Sequence, residues 1–206
     1  RYDLKISSNY LERHQIKADN LTRVLDGFSD LNVLVIGDLI IDEYITCDVL
    51  GMSREDPTVV VTPVLEQKFI GGAGIVASHA RSLGANTTFL TVCGDDQEAR
   101  DSLEKLERYN VKAEIAIDPS RPTTLKQRFR SSGKTLLRVS KLKQHAIDLA
   151  LQDEIFSLFE GHAKSLDLVI FSDFNYGVLP QSLVDRIVKY CDLAGIRMVA
   201  DSQSSS

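Results

Sequence analysis

Four short apolar runs in the sequence are each followed by an aspartate residue. The endings are Gly37-Asp38, Gly94-Asp95, Ser172-Asp173 and Ala200-Asp201. A single aspartate in such a place usually caps the following helix or turn. In an open parallel sheet, however, the ligand crevice lies outside the carboxyl ends of the strands, where carboxylates accept hydrogen bonds from ligand hydroxyl groups. The repetition of the pattern, with Asp42 close by, favours a site for a polar ligand.

A glycine cluster, Gly71-Gly72-Ala73-Gly74, leads directly into a predicted helix. Clustered glycines let backbone N–H groups approach a ligand closely, and the N-terminus of a helix favours oxygen acceptors. The spacing matches neither the dinucleotide-binding loop nor the Walker loop. A tight turn into a closely packed helix explains the cluster equally well, so the sequence leaves both interpretations open.

Basic residues alternate along one predicted strand, so that Lys126, Arg128 and Arg130 share a face. Arg138 lies across a hairpin turn predicted at Ser131-Ser132-Gly133. A stripe of this kind is often the solvated side of a sheet. The alternative is an anion clamp for a phosphate carried by the substrate, because guanidinium and ammonium groups donate strong hydrogen bonds to phosphate oxygens.

The apolar pattern predicts the scaffold that positions these groups. The runs at 32–36, 88–92, 168–171 and 197–200 are continuous, which is typical of parallel strands buried on both faces. Segments with apolar residues at helical spacing separate the runs. The order strand, helix, strand, helix predicts a doubly wound α/β sheet.

Two other stretches, around 58–66 and 125–139, alternate with period two. Alternation predicts half-buried strands, so we expect a small β-sheet that stands off the main sheet as a lid. Its predicted segments are about 44–66 and 112–140. The apolar lid positions also predict dimerisation through the lid, and they are Val59, Val61, Leu125 and Phe129.

The chain has 206 residues and a net charge of −5, with charges of both signs interspersed. Neither a nucleic-acid footprint nor an apolar run long enough to span a membrane is present in the sequence. Cys47, Cys93 and Cys191 are scattered, so we interpret them as free thiols of a cytoplasmic protein. The polar residues 1–30 are interpreted as a leader or linker that contains a short helix before Gly27.

The order of these motifs resembles the PfkB (ribokinase-like) family of carbohydrate kinases from about residue 32 onward. The lid region is similar to the heptose-7-phosphate kinase branch of that family. The branch usually has asparagine and lysine where this chain has Ile75 and Tyr176. The resemblance rests on Gly37-Asp38 with Asp42, on 71–77 with Leu83-Gly84-Ala85, on Gly94-Asp95-Asp96, on 53–57, on Pro122-Thr123-Thr124 with Lys126, Arg128 and Arg138, and on Ser172-Asp173-Phe174.

The resemblance implies an α/β fold with a doubly wound, mainly parallel sheet and a β-sheet lid, incomplete at the C-terminus. It implies that 31–206 is the N-terminal portion of a kinase domain and that 1–30 is the tail of an upstream nucleotidyltransferase domain. The implied reaction is phosphate transfer from ATP, with Mg²⁺, to a sugar or sugar phosphate. The implied substrate-binding residues are Asp38, Asp42, Gly71, Gly72, Lys126, Arg128, Arg138 and Asp173.

The catalytic base and most of the ATP site are expected beyond Ser206, so the chain alone is expected to be inactive. Two other functions fit the same residues. One is a non-catalytic sugar-binding or regulatory protein that keeps the pocket. The other is a kinase for a nucleoside or another small alcohol, which would not need the cationic strand face. In each case we expect a small-molecule ligand and a homodimer, without nucleic acid or membrane partners.

Overall fold

Two β-sheets organise the chain in the computed structural model, which describes residues 8–203. The helices are α1 (Ser8–Arg13), α2 (Ala18–Asp26), α3 (Gly72–Ser82), α4 (Gln97–Arg108), α5 (Leu149–Ala163) and α6 (Gln181–Ala194). The strands are β1 (Asn32–Gly37), β2 (Leu39–Met52), β3 (Val59–Gly71), β4 (Asn86–Cys93), β5 (Lys112–Ile117), β6 (Thr124–Ser131), β7 (Lys134–Lys141), β8 (Leu168–Asp173) and β9 (Arg197–Ser202).

The larger sheet contains five parallel strands in the order β5-β4-β1-β8-β9. β1 lies at its centre and is buried along nearly its whole length, as the continuous apolar sequence of this strand predicts. Helices α3 and α4 pack on one face of the sheet, and α5 and α6 pack on the other. The predicted doubly wound α/β sheet is therefore confirmed.

Two fully buried aromatic side chains anchor the helical layers to the larger sheet. Phe89 of β4 packs with α3 and with Leu106 of α4 on one face. Phe159 of α5 packs with Ile187 of α6 on the other face. Replacing a buried phenylalanine with alanine typically costs about 3–5 kcal/mol. These two clusters therefore hold the scaffold beneath the strand ends where the predicted site residues lie.

The smaller sheet is the lid, and its four strands run in the order β3-β2-β6-β7. β2 pairs antiparallel with β3 and parallel with β6, and β6 and β7 form a hairpin. The long β2–β3 hairpin continues past the end of β6, because pairing between β2 and β6 stops at Thr46 and Arg130. Since β3 ends at Gly71 and α3 begins at Gly72, the lid leads directly into a helix of the main layer.

The structure corrects several details of the sequence prediction. β5 was predicted to belong to the lid, but it pairs with β4 at one edge of the larger sheet, and its partial exposure there explains the mixed pattern. The lid strands cover 39–52, 59–71, 124–131 and 134–141 instead. β9 is a parallel strand, as predicted, and it is mostly exposed because, among the described residues, only β8 pairs with it. Leu125, predicted to lie on a dimer surface, is buried within the chain.

The described part of the leader is helical. α2 lies where a helix before Gly27 was predicted, but it buries none of its residues against the rest of the chain. Residues 1–7 of the leader, and 204–206 at the other end, lie outside the described residues. Within residues 8–203, no helix combines the length and the apolar character that crossing a membrane requires.

Gly37 is needed where the end of β1 passes close to β8. A Cβ atom at this position would overlap the backbone carbonyl oxygen of Ser172 and would lie 3.1 Å from Cβ of Ala73. We expect Gly37→Ala to lower the free energy of unfolding by about 1–3 kcal/mol, as overpacking typically does. Urea denaturation measures the change.

Gly161→Ala is the matched control, because a Cβ atom at Gly161 in α5 meets nothing within 4 Å. Alanine is the better helix former by about 1 kcal/mol, so this variant is expected to be at least as stable as the wild type. A Gly37→Ala protein as stable as Gly161→Ala would contradict the close approach between β1 and β8.

Candidate functional site

Asp42, on β2, lies at the base of the lid and forms an ion pair with Arg128 of β6. Its carboxylate also lies against Gly71, where a Cβ atom would be 2.5 Å from the Oδ2 oxygen. The hydrogen bond to Asp42 raises the pKa of Arg128 above its ordinary value, so this guanidinium stays cationic. The structure thus brings Asp42, Gly71 and Arg128 together, as the sequence analysis expected.

The lid face that carries Asp42 has an excess of positive charge. The alternation of β6 places Lys126, Arg128 and Arg130 on this face, and strand pairing places Arg138 directly opposite Arg128. Like charges directly opposite each other destabilise a sheet. Asp42 compensates Arg128, whereas Arg138 has no partner among the described residues. The arrangement is suited to an anion, which would offset the repulsion.

Lys126 connects the lid to the main sheet. Its Nζ atom lies 5.0 Å from the centre of the Tyr176 ring and 5.9 Å from that of the Phe174 ring. Both distances are within the range of cation–π attraction. The two rings belong to the loop Phe174–Val178, which follows β8. We call the space between the lid and the strand ends of the larger sheet the cleft, and this cation–π contact joins its two sides.

Asp38 does not reach the cleft, because it is fully buried beneath it. Its carboxylate accepts hydrogen bonds from the backbone N–H groups of Phe174, Tyr176 and Val178 at 2.8, 3.2 and 3.3 Å. Burial raises the pKa of Asp38 above its ordinary value, although these three hydrogen bonds oppose the shift. The nearby charge of Asp173 also raises the pKa of Asp38. Asp38 therefore organises the loop rather than facing a ligand.

Arg121 holds the same loop from another side. Its guanidinium donates to the backbone carbonyl oxygens of Tyr176 and His145 at 3.0 and 2.9 Å. It also forms a buried ion pair of 2.6 Å with Asp118. Sequence analysis missed Arg121 and Asp118, because an isolated Arg three residues after an Asp has the same sequence pattern as a surface turn.

Asp173 lies on the other side of the strand end and does not join the lid cluster. Its Oδ1 atom accepts the N–H of Asn175 and its Oδ2 atom accepts the hydroxyl of Ser202, both at 2.8 Å. It lines a cavity of about 360 Å³ between β8, β9 and α6. The structure therefore separates Asp173 from Asp42, although the sequence analysis grouped both with the substrate.

Gly72 lies at the first turn of α3, next to the buried aspartate. Its φ of +55° is in the left-handed region, and a Cβ atom here would overlap the backbone carbonyl oxygen of Asp38. That oxygen accepts the N–H of Ala73 at 2.9 Å. No side chain caps the N-terminus of α3. The glycine cluster is thus both a tight turn and the floor of the cleft beside Asp42.

An aromatic pair on the lid was also missed by the sequence analysis. Tyr44 and Phe69 meet edge to face with ring centres 5.8 Å apart, and the guanidinium groups of Arg128 and Arg130 lie 5.3 and 5.6 Å from the Tyr44 ring centre. The pair lines a cavity of about 430 Å³ on the lid. The alternation along β2 that places Asp42 on this face also places Tyr44 there, and this was the signal available in the sequence.

Within residues 8–203, histidine, cysteine, aspartate and glutamate side chains are nowhere grouped in threes that could hold a metal ion. The carboxylates at the strand ends are engaged by backbone and hydroxyl donors instead.

Solved structures share this arrangement of sheet and lid. Phosphofructokinase-2 from Escherichia coli in complex with fructose-6-phosphate matches with a TM-score of 0.63 and 13% identity, over 85% of this chain and 55% of that chain. Arabidopsis thaliana ribokinase complexed with ribose and ATP matches with a TM-score of 0.56 and 16% identity, over 85% and 54%. The fold is therefore that of the ribokinase-like kinases.

The model of the pfkB family carbohydrate kinases matches residues 30–206. The chain therefore belongs to the pfkB family of carbohydrate kinases. Curated relatives include the bifunctional protein HldE of Desulfatibacillum aliphaticivorans, 34% identical over 176 residues, and that of Campylobacter jejuni subsp. doylei, 30% identical over 173 residues. The chain spans 36% of the length of each of these two relatives, and each match covers 84% of this chain.

The buried pair of Asp118 and Arg121 yields a prediction about pH. Burial raises the pKa of Asp118, but hydrogen bonds from Ser120 and the Arg121 guanidinium together lower it below the ordinary value of 3.8. The ionised carboxylate thus stabilises the fold above about pH 4, and this stabilisation is lost as the pH falls through the lowered pKa. Asp118→Asn should cost about 3–5 kcal/mol near pH 7, because it leaves Arg121 buried and unpaired.

Urea denaturation of wild type and variant at several pH values measures this effect. The difference in free energy of unfolding should shrink below about pH 4, as Asp118 of the wild type becomes protonated. Asp56→Asn, at an exposed turn, is the control and should change stability little at any pH. A difference for Asp118→Asn that stays constant down to pH 2.5 would contradict the lowered pKa.

Proposed function

We propose that the protein transfers a phosphoryl group from ATP to a hydroxyl group of a sugar phosphate, and that this chain carries the sugar pocket and the lid. The observation that carries the proposal is the position of the Asp42 carboxylate. It is oriented by Arg128, it lies beside the glycine turn, and it belongs to a lid face with excess positive charge. A carboxylate held in this way accepts hydrogen bonds from sugar hydroxyl groups, and the cations meet a phosphate.

The charge distribution favours a phosphorylated sugar over a neutral one. Arg138 faces Arg128 without a carboxylate of its own, and Lys126 contacts aromatic rings instead of an acidic group. A neutral sugar would leave these charges uncompensated, whereas a phosphate would accept hydrogen bonds from two or more of them. We therefore assign Lys126, Arg128 and Arg138 to the phosphate of the substrate.

The remaining predicted residues receive different roles. Gly71 and Gly72 let the sugar approach the backbone at the start of α3, since side chains at either position would collide with Asp42 or Asp38. The burial of Asp38 supports an indirect role for this residue, in shaping the loop Phe174–Val178. Asp173 would act at the side of the cleft near β9, where it lines the cavity.

Phosphoryl transfer needs further functional groups, and we propose that the rest of the whole protein supplies them. Phosphoryl transfer depends on donors aimed at the moving phosphate, on metal ions and on a base near the attacking hydroxyl. Among the described residues, acidic, histidine and cysteine side chains form no group of three that could hold a metal ion, and we assign the glycine cluster 71–74 to the sugar. ATP and Mg²⁺ therefore belong to the proposal for the whole protein, and the isolated 206-residue chain should not release ADP in a sugar-dependent manner.

A non-catalytic sugar-binding protein is the second candidate, and Tyr176 is the observation that favours it. This aromatic ring occupies a place where related kinases of the heptose-phosphate branch usually carry lysine. Steady, sugar-dependent ADP release by the intact protein would exclude a purely binding role. A kinase for a nucleoside or small alcohol would bind its neutral substrate equally well when Arg138 is removed.

The lid is also proposed as the surface of a homodimer. Several of its apolar side chains are exposed, among them Val59, Val60, Met52 and Leu50 near the tip of the β2–β3 hairpin. Sedimentation of the intact protein should show a dimer, and Val59→Asp should weaken it.

The buried state of Cys47, Cys93 and Cys191 supports a reducing compartment such as the cytoplasm.

The first functional prediction concerns Asp42. Its carboxylate accepts charge-assisted hydrogen bonds that are each worth about 1.5–3 kcal/mol. Asp42→Ala should therefore weaken binding of the sugar phosphate at least about tenfold in calorimetry, since tenfold is about 1.4 kcal/mol. Asp48→Ala, on the same strand but exposed at the lid surface, is the control and should bind normally. Equal affinities of the two variants would remove Asp42 from the pocket.

The second functional prediction concerns the cations. Lys126→Ala and Arg138→Ala should each weaken binding of a phosphorylated sugar about tenfold or more, and should leave the unphosphorylated sugar nearly unaffected. Lys141→Ala is the control, because Lys141 pairs with Leu125 and so lies on the opposite face of the lid. Equal losses for both sugars would instead support a solvated face without a phosphate site.

A further inference from the structure

The loop Phe174–Val178 is held more firmly than a connection between a strand and a helix requires. Asp38 accepts three of its backbone N–H groups, and Arg121 donates to the carbonyl oxygen of Tyr176. Both side chains are buried, and both are engaged by these bonds to the loop backbone. The Asp38 carboxylate thus holds the loop through its N–H groups, and the Arg121 guanidinium holds it through a carbonyl oxygen.

The backbone of the loop shows why such restraint is needed. Asn175 has a φ of +60° and Gly177 a φ of +92°, two left-handed conformations two residues apart. Gly177 also packs so closely on His145 that a Cβ atom would overlap its carbonyl oxygen, and its own carbonyl oxygen accepts the N–H of Ile147 at 3.0 Å. Left-handed conformations persist where surrounding contacts over-determine them. The buried charges provide these contacts.

The restrained loop presents its two aromatic rings to a single cation of the lid. Lys126 Nζ lies 5.0 Å from the Tyr176 ring centre and 5.9 Å from that of Phe174. Lys126 has no carboxylate partner among the described residues, in contrast to Arg128. The ring faces attract the Lys126 ammonium without accepting conventional hydrogen bonds from it. Its N–H groups can therefore still donate to an anion.

We propose that Phe174 and Tyr176 form an aromatic seat that positions Lys126 for the substrate phosphate, and that Asp38 and Arg121 are the positioning residues that hold this seat. The assignment of the anion rests on the proposed function. In this arrangement Tyr176 favours a phosphorylated over a neutral sugar only indirectly. The positive charge that meets the phosphate belongs to Lys126 of the lid, and Tyr176 positions it. The lid and the main sheet must therefore both be in place before the phosphate is bound.

The test uses the intact protein with two replacements of Tyr176. Tyr176→Leu removes the ring, and Tyr176→Phe keeps it. Calorimetry compares a sugar phosphate with the same sugar lacking the phosphate. Tyr176→Leu should weaken binding of the phosphorylated sugar by about threefold to tenfold and should not change binding of the neutral sugar, whereas Tyr176→Phe should bind both normally. Tyr109→Leu is the control, because Tyr109 is an exposed tyrosine directly after α4.

A second readout reports on the seat without any ligand. Competitive acetylation of lysines, quantified by mass spectrometry against exposed Lys134, measures how accessible the Lys126 ammonium is. Tyr176→Leu should raise the relative rate at Lys126 by about twofold or more, and Tyr176→Phe should not. An unchanged rate in Tyr176→Leu would overturn the inference. If the wild type binds no sugar phosphate at all, the proposed function fails, and this ligand-free readout still decides whether the seat exists.

The positioning role is tested with Asp38→Asn, which keeps the shape of the side chain but removes its charge. Hydrogen exchange should accelerate at the amides of Phe174, Tyr176 and Val178, and the phosphorylated sugar should again lose affinity selectively. Combining Asp38→Asn with Tyr176→Leu should weaken phosphate binding no more than the stronger single change, because both act through Lys126. Additive losses, or equal losses for both sugars, would reduce Asp38 to a structural residue. If Asp38→Asn does not fold, Tyr176→Leu alone decides the proposal.

Discussion

The buried aspartate at the end of the central strand is the constraint on which the cleft depends. Asp38 bonds to three parts of the molecule at once. Its N–H donates to the carbonyl oxygen of Ser172 at 3.3 Å, its carbonyl oxygen accepts the N–H of Ala73, and its carboxylate accepts three N–H groups of the loop after β8. Asp38 therefore links strand β8, helix α3 and the loop to the end of β1.

Burying the Asp38 carboxylate is energetically unfavourable, and its raised pKa shows this. Burial raises the pKa of Asp38 despite three hydrogen bonds that favour the ionised form, so desolvation outweighs them. Removing a partner from a buried charge is strongly destabilising, whereas a fully bonded one can be retained for the geometry that it imposes. Here the geometry is a loop with two left-handed residues. The desolvated Asp38 carboxylate thus lies where its hydrogen bonds determine the shape of the loop.

The lid follows a different principle, because its charges are left partly uncompensated. Arg128 is neutralised by Asp42, and this pair orients the carboxylate that we assign to the sugar. Arg138 and Lys126 are not neutralised by any acidic group of the described residues. Pre-organised groups that await a ligand increase affinity because little reorganisation is required on binding. The core side of the cleft is therefore held by satisfied hydrogen bonds, whereas Lys126 and Arg138 on the lid side have no acidic partner among the described residues.

The sequence by itself determined the layers of the fold and the residues of the lid face. Continuous apolar runs predicted β1, β4 and β8, and alternation in 125–139 predicted the strand pair that carries the cations. Both predictions succeeded because the order of apolar and polar residues along a strand reflects whether one face or both faces are buried. The same local rule did not place β5. Its mixed pattern predicts a lid strand, whereas β5 pairs with β4 in the larger sheet, and that pairing is decided by the assembled sheet.

Only the tertiary structure decided which of the candidate residues meet. Asp38, Asp42 and Asp173 are all aspartates near strand ends, yet one is buried under a loop, one pairs with Arg128 in the lid and one bonds to Ser202 at the end of β9. Their side chains point in different directions because strand alternation and the crossing from sheet to lid send neighbouring residues to different faces. The contact between Lys126 and Tyr176, separated by 50 residues, likewise exists only once lid and sheet have packed together, since cation–π attraction depends on a distance that sequence spacing does not encode.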